Sequence, residues 1–176
     1  MKYIHQEITS PEHLREAERL IIRGIIRDWS KKVTREGTRK WFKGKLSRVV
    51  KSGGKVFATF DSKGKIVACS YVNPIRNYYN KGSFTKPIRE QINPKETVFF
   101  GGMAVDENHL RRGLSTEHEK MRMKWTKKNG FKLALTNTAR DLKRFPGLIK
   151  TGWKVIHDHK NYWNDGTPKT WLAKRV

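Results

Sequence analysis

Thr97 to Val105 reads TVFFGGMAV, and Asp106 to Arg112 reads DENHLRR. The chain then runs Gly113-Leu114-Ser115 into TEHEKMRMKWTKK, closed by Asn129-Gly130. The first stretch is apolar and rich in β-formers, so it is expected to be a strand; Gly101-Gly102 inside it predicts a bulge or a close backbone approach. The third stretch is expected to be a helix, with Leu114, His118, Met121 and Trp125 on one face and the Asn-Gly pair as its stop. Between them lies a short basic turn ending in glycine. A helix start presents unpaired backbone N–H groups and a partial positive charge, which together favour phosphate. Gly113 lets an anion approach the main chain, and Arg111 and Arg112 add charge and forked donors. The residues themselves therefore point to a diphosphate at the head of this helix.

Working outward toward the N-terminus, Lys55–Phe60 and Ile66–Val72 read as a hairpin around the turn Asp61-Ser62-Lys63-Gly64-Lys65. Before it, Ser10-Pro11-Glu12 is a helix start, followed by Leu14, Ala17, Ile21, Ile25 and Trp29 at helical spacing. A second helix is expected from about Thr38 to Val50, with Trp41, Phe42, Leu46, Val49 and Val50 as its buried set. Lys2–Ile8 is expected to form a short first strand. Residues 73–95 read as a long irregular loop. Toward the C-terminus, Lys132–Thr136 reads as a strand and residues 140–150 as a short helix or turn. Trp153–His157 and Thr170–Ala173 read as final strands joined by an Asn-Asp-Gly turn at 164–166.

The chain has 176 residues, which suits one domain spanning 1–176 with a real apolar core. The single cysteine, Cys69, allows no internal disulfide and suits a reducing, cytoplasmic setting. Cys69 itself is expected to be a small buried hydrophobe. The first twenty residues have no apolar h-region, so no signal peptide is expected. No window approaches a membrane span. Six Trp, eight Phe and five Tyr spread along the chain exclude a disordered tail.

The segment from Met103 to Ser115 resembles motif A of the GNAT (Gcn5-related N-acetyltransferase) superfamily. That pattern is a strand ending in an apolar-Val pair, a polar turn, then Arg/Gln-x-x-Gly-x-Gly/Ala opening a helix. Met103-Ala104-Val105 match the strand end, Arg111 and Arg112 the x-x positions, Gly113 the first glycine and Ser115 the small residue. Leu110 departs from the pattern, where the family usually has Arg or Gln. Element order and Gly152-Trp153 extend the resemblance over nearly the whole chain. It implies an α/β (α+β) GNAT fold: a mixed central sheet of about six to seven strands, flanked by helices and splayed between the two central parallel strands.

It also implies an acyl-CoA N-acyltransferase that moves an acetyl group from acetyl-CoA, or another acyl group, to an amine. Cofactor contacts would fall on Met103, Ala104, Val105, Arg111, Arg112, Gly113, Leu114 and Ser115, with Asn137 just past the second parallel strand. Met103 and Val105 would pair with the amides of the pantetheine arm. The tyrosine frequent on the late helix is replaced by Leu148. Tyr162 is the candidate substitute, and Glu96 and Asp106 are base candidates. No metal is expected. By analogy, small basic enzymes of this kind suit a phage genome, working as monomer or homodimer.

Charge adds a further expectation. Lys plus Arg is 39 against 16 Asp plus Glu, a formal net charge of +23. Arg23 to Lys51 holds eleven basic residues against Asp28 and Glu36. So basic a surface attracts polyanions. DNA, RNA or something bound to them is the expected acceptor or partner, with Lys40, Lys43 and Lys45 as contacts. Tyr78, Tyr79 and Phe84, interleaved with Arg76, Lys81 and Lys86, are candidates to stack on bases. The alternatives are a basic nucleic-acid-binding protein with an inactive GNAT fold, and a DNA-modifying enzyme on the same fold.

Overall fold

The computed structural model describes all residues except 1, 30–31, 78–83 and 161–166. Seven strands form one mixed sheet in the order β1-β2-β3-β4-β5-β7-β6. The strands are β1 (Ile4–Glu7), β2 (Lys55–Phe60), β3 (Ile66–Pro74), β4 (Thr97–Val105), β5 (Leu133–Ala139), β6 (Lys154–His159) and β7 (Lys169–Arg175). The helices are α1 (Pro11–Asp28), α2 (Arg35–Phe42), α3 (Lys45–Lys51), α4 (Lys86–Arg89), α5 (Leu114–Lys128) and α6 (Arg144–Lys150). The chain divides into two compact units, residues 1–73 with 101–124 and residues 74–100 with 125–176, so β4 contributes to both.

In the first unit, β1, β2 and β3 are antiparallel, with Phe57 opposite both Glu7 and Ser70. Ser10 caps α1 by accepting from the His13 N–H at 3.3 Å, and Pro11 occupies the first turn. The helix buries Leu14, Ala17, Leu20, Ile21 and Gly24. Gly24 allows close approach: a Cβ there would sit 3.2 Å from the Ala104 Cβ. Near that crossing, Val67, Ala68, Val105 and Leu114 form a buried cluster.

The single helix expected from 38 to 50 is two helices, broken where Gly44 takes a left-handed φ of 66°. The break is held from a distance. Glu18 on α1 accepts from the Gly44 N–H at 3.2 Å and the Leu46 N–H at 2.8 Å, capping α3 in place of a local residue. Phe42, Leu46 and Val49 are buried as expected, but Trp41 is 60% exposed.

In the second unit, β4 and β5 are parallel over Thr97↔Leu133 to Phe99↔Leu135, and β7 pairs antiparallel with both β5 and β6. Its core includes Ile75, Phe84, Ile88, Leu135 and Trp171. The expected irregular segment 73–95 therefore contains the end of β3, a helical turn at Ile75–Asn77 and α4, which brings Ile88 into that core.

Candidate active site

The basic turn folds as its residue types require. Asp106 follows β4 and caps a short helical turn, Glu107–His109, by accepting from the Asn108 N–H at 3.1 Å. Arg111 then adopts a left-handed φ of 59°, the only described non-glycine residue to do so. Such a conformation costs about 1–3 kcal/mol and tends to persist where a site needs it. Gly113 follows at φ 75°, and an added Cβ would meet nothing within 4 Å. Helix α5 begins at Leu114, which is buried, while Arg111, Gly113 and Ser115 are exposed. The Gly113 carbonyl closes the first turn by accepting from the Thr116 and Glu117 N–H groups at 3.0 and 3.1 Å. The result is an open backbone cradle at the head of a fifteen-residue helix. It has room, donors and positive charge for a diphosphate.

Two details adjust the charge there. Arg112 is turned back, donating to Tyr3 Oη and to the Asn108 carbonyl, each at 3.3 Å. Arg27, which sequence reasoning missed, reaches the same end of β4: its guanidinium donates to the Val105 carbonyl at 3.4 Å while pairing with Asp28 at 2.6 Å. The hydrogen bond to Asp28 raises the Arg27 pKa further above its ordinary value. Met103, Ala104 and Val105 lie in the same unit as the cradle, on the strand that leads into it.

The paired glycines are explained by a residue that the sequence did not single out. A Cβ on Gly101 would lie 2.3 Å from Tyr71 Cζ, and one on Gly102 would lie 2.7 Å from Tyr71 Cδ1. Gly102 also has a left-handed φ of 59°. The ring of Tyr71 therefore occupies the space that side chains at these two positions would need, and its hydroxyl lies over Gly101; of the two expectations, the close approach is the one observed. Tyr71 is only 3% exposed, and burial pushes its phenol well above the ordinary range. It is a neutral side chain held against the β4 main chain. Finding it needed the β3–β4 neighbourhood, for which the sequence carries no local signal.

The body of α5 does different work. His118 is buried, with Nδ1 2.7 Å from Ser70 Oγ and Nε2 2.9 Å from Thr59 Oγ1. Burial, then the charge of Arg122, pushes its pKa down to about 3. Ser70 is buried as well, so this Ser–His contact is a satisfied core pair with no substrate access. Cys69 is likewise buried, its thiol raised by desolvation.

The acid and base candidates are engaged elsewhere. Glu96 pairs with Lys132 just before β4 begins. Asp106 caps its turn and pairs with Lys65 at 3.4 Å. Burial raises the Asp106 pKa, but the Asn108 amide and Lys65 outweigh it and hold the carboxyl below its usual range. Tyr162 lies outside the described residues. Asn137, expected just past its strand, is inside β5 opposite Trp171. Lys40 and Lys43 are exposed on and after α2, whereas Lys45 is half-buried over the Trp41 ring at 3.6 Å. Of the expected stacking residues, Phe84 is 2% exposed and packs on Trp171, which removes it from any base platform. Tyr78 and Tyr79 lie outside the described residues. No described helix is long and apolar enough to cross a membrane.

No family model matches the chain, and no curated protein matches it. Solved structures do. A GNAT-family acetyltransferase from Staphylococcus aureus Mu50 is 11% identical, with 99% of each chain covered and a TM-score of 0.72. The PaiA N-acetyltransferase of Thermoplasma acidophilum, solved in complex with coenzyme A, is 13% identical over all of both chains, TM-score 0.72. Ard1 of Thermoplasma volcanium is 13% identical, covering 100% of this chain and 99% of its own, TM-score 0.69. At these identities the likeness establishes the fold, and the fold is that of the GNAT acetyltransferases.

Proposed function

We propose that this GNAT-fold protein is an acyl-CoA-dependent N-acyltransferase, with acetyl-CoA as the simplest donor and an amine on, or bound to, nucleic acid as acceptor. The observation that carries this reading is the cradle: a left-handed Arg111 and Gly113 opening α5 beside the end of β4. Its fit to a coenzyme diphosphate rests on the open space at Gly113 and on the exposed Arg111. The coenzyme A in the Thermoplasma acidophilum relative supports the same cofactor class.

The main chain of Gly113, Leu114 and Ser115 would hold the diphosphate, with Arg111 supplying charge and Arg112 bracing the turn from behind. Backbone groups of Met103, Ala104 and Val105 would receive the arm by strand addition, and Asn137 is a further contact candidate. When bound, the acyl-CoA supplies an activated thioester. Tyr71, buried and neutral, shapes β4 by packing its ring over Gly101 and Gly102. Tyr162 is the candidate that gives the leaving thiolate its proton. With Glu96 and Asp106 occupied in structure, the acceptor's own proton is assigned to solvent.

Thermal unfolding with and without CoA tests this. At a hundred times its dissociation constant the ligand should stabilise the fold by about 2.7 kcal/mol. Gly113→Asp should lose that stabilisation, because it sets a carboxylate against the diphosphate. An unchanged CoA shift in the variant removes the cradle assignment. No shift in the wild type leaves the inactive, nucleic-acid-binding reading.

A further inference from the structure

Trp41 belongs to the set expected to be buried, yet it is the most exposed large apolar side chain described, at 60%. It is nevertheless held. Lys45 Nζ lies 3.6 Å from its ring centroid, and Phe42 packs edge-on at 4.7 Å with an interplanar angle of 84°. A cation on one face and an aromatic at the edge fix the plane of the ring. What surrounds it is cationic. Arg35, Arg39, Lys40, Lys43, Arg48 and Lys51 are exposed on or between α2 and α3, whose one acid of their own is Glu36, with Glu18 of α1 spent on capping α3.

The ring also has a neighbour in common with β4. The same Lys45 ammonium lies 5.8 Å from the centroid of Tyr71, whose ring fills the space over Gly101 and Gly102. A fixed, exposed indole inside a positive field matches a polyanion that carries planar rings. Duplex nucleic acid presents no free base face, and single strands do.

We propose that Trp41 is a base-stacking platform for single-stranded nucleic acid. Lys40, Lys43 and Arg39 neutralise the backbone on either side of the stacked base. In making that strand the acceptor, the inference rests on the transferase reading; the binding itself does not depend on it.

The test uses the full chain with a fifteen-nucleotide oligo(dT) and the corresponding duplex, followed by fluorescence anisotropy across a salt series. Oligo(dT) should bind, and more tightly than the duplex. Trp41→Ala should weaken oligo(dT) binding about ten- to hundredfold, leave the salt slope unchanged because no phosphate contact is lost, and barely move the melting temperature. Trp41→Phe should recover most of the affinity. CoA-induced stabilisation, measured on the same variants, should be unaltered. Gly113→Asp should still bind oligo(dT), so failure of the cofactor reading and failure of this one are distinguishable.

Three results would each overturn the proposal: equal oligo(dT) affinity in wild type and Trp41→Ala, equal affinity for duplex and single strand, or indole quenching by phosphatidylserine vesicles but not by oligo(dT).

Discussion

The head of α5 and the α2–α3 pair both offer positive charge to an anion, but they are built differently. The first is made of backbone. Its geometry comes from two left-handed residues, Arg111 and Gly113, on either side of Arg112, and from the N–H groups that a helix start exposes. The second is made of side chains, with Trp41 and Lys45 held against each other and the break between the helices held by Glu18 from α1. A backbone site should fail when one conformation or one close approach is spoiled. A side-chain site should fail in steps, as charges and the stacking ring are removed.

The largest effect separates the two outright. Gly113→Asp is expected to abolish CoA-dependent stabilisation while oligo(dT) binding persists, as differential scanning fluorimetry and anisotropy on one preparation can show. If both fall together, the two regions are one site and the contrast is lost.

Tyr71 has Lys45 on one side and packs over Gly101 and Gly102 on the other. Tyr71→Phe keeps the ring over Gly101 and Gly102 and removes only the proton. Acyl transfer to an amine acceptor, CoA stabilisation and oligo(dT) affinity should all persist, because the buried hydroxyl reaches no substrate. A hundredfold loss of turnover in this variant would give that hydroxyl the proton role.

The body of α5 sets how firmly the cradle is anchored. His118 is pushed down to about 3 in the fold, against an ordinary value of 6.5. The unfolded chain therefore takes up a proton first as pH falls below 6.5. Stability is full above that value and declines below it, by about 2–3 kcal/mol between pH 6.5 and 4.5. The carboxylates held below their usual range, Asp61, Asp106, Glu117 and Asp158, weaken the fold in the same direction but at lower pH. Urea unfolding across this window should show the loss in wild type and a flatter profile in His118→Gln. Equal slopes would mean that the histidine is not the acid-sensitive group.

The smallest effect belongs to the surface charges. Lys40→Glu with Lys43→Glu should weaken oligo(dT) binding severalfold and reduce the salt slope by roughly 1.4, two phosphate contacts of a single strand. CoA binding should stay as it was. A comparable loss of CoA affinity would assign those lysines to the cofactor.

Some of this was legible without coordinates, and the reason is range. Ser10-Pro11, the hairpin at 61–65, the polar turn after Val105 and the glycine at 113 each act over a few residues, through capping, φ preference and alternation. Their consequences appear in the structure where expected. The Met121–Trp125 side of α5 was a near miss, because Arg122 and Thr126 take the most buried positions one residue further round the helix.

By itself the sequence determined the strand-turn-helix unit, the order of the surrounding elements and the density of positive charge, since local backbone preference and composition need no partner. Only the tertiary structure decided that Trp41 faces outward while Phe84 is buried, that Tyr71 sits over the paired glycines, and that Glu18 splits one expected helix into two. Those outcomes depend on side chains brought together across dozens of residues, and their packing overrides what helical spacing alone predicts.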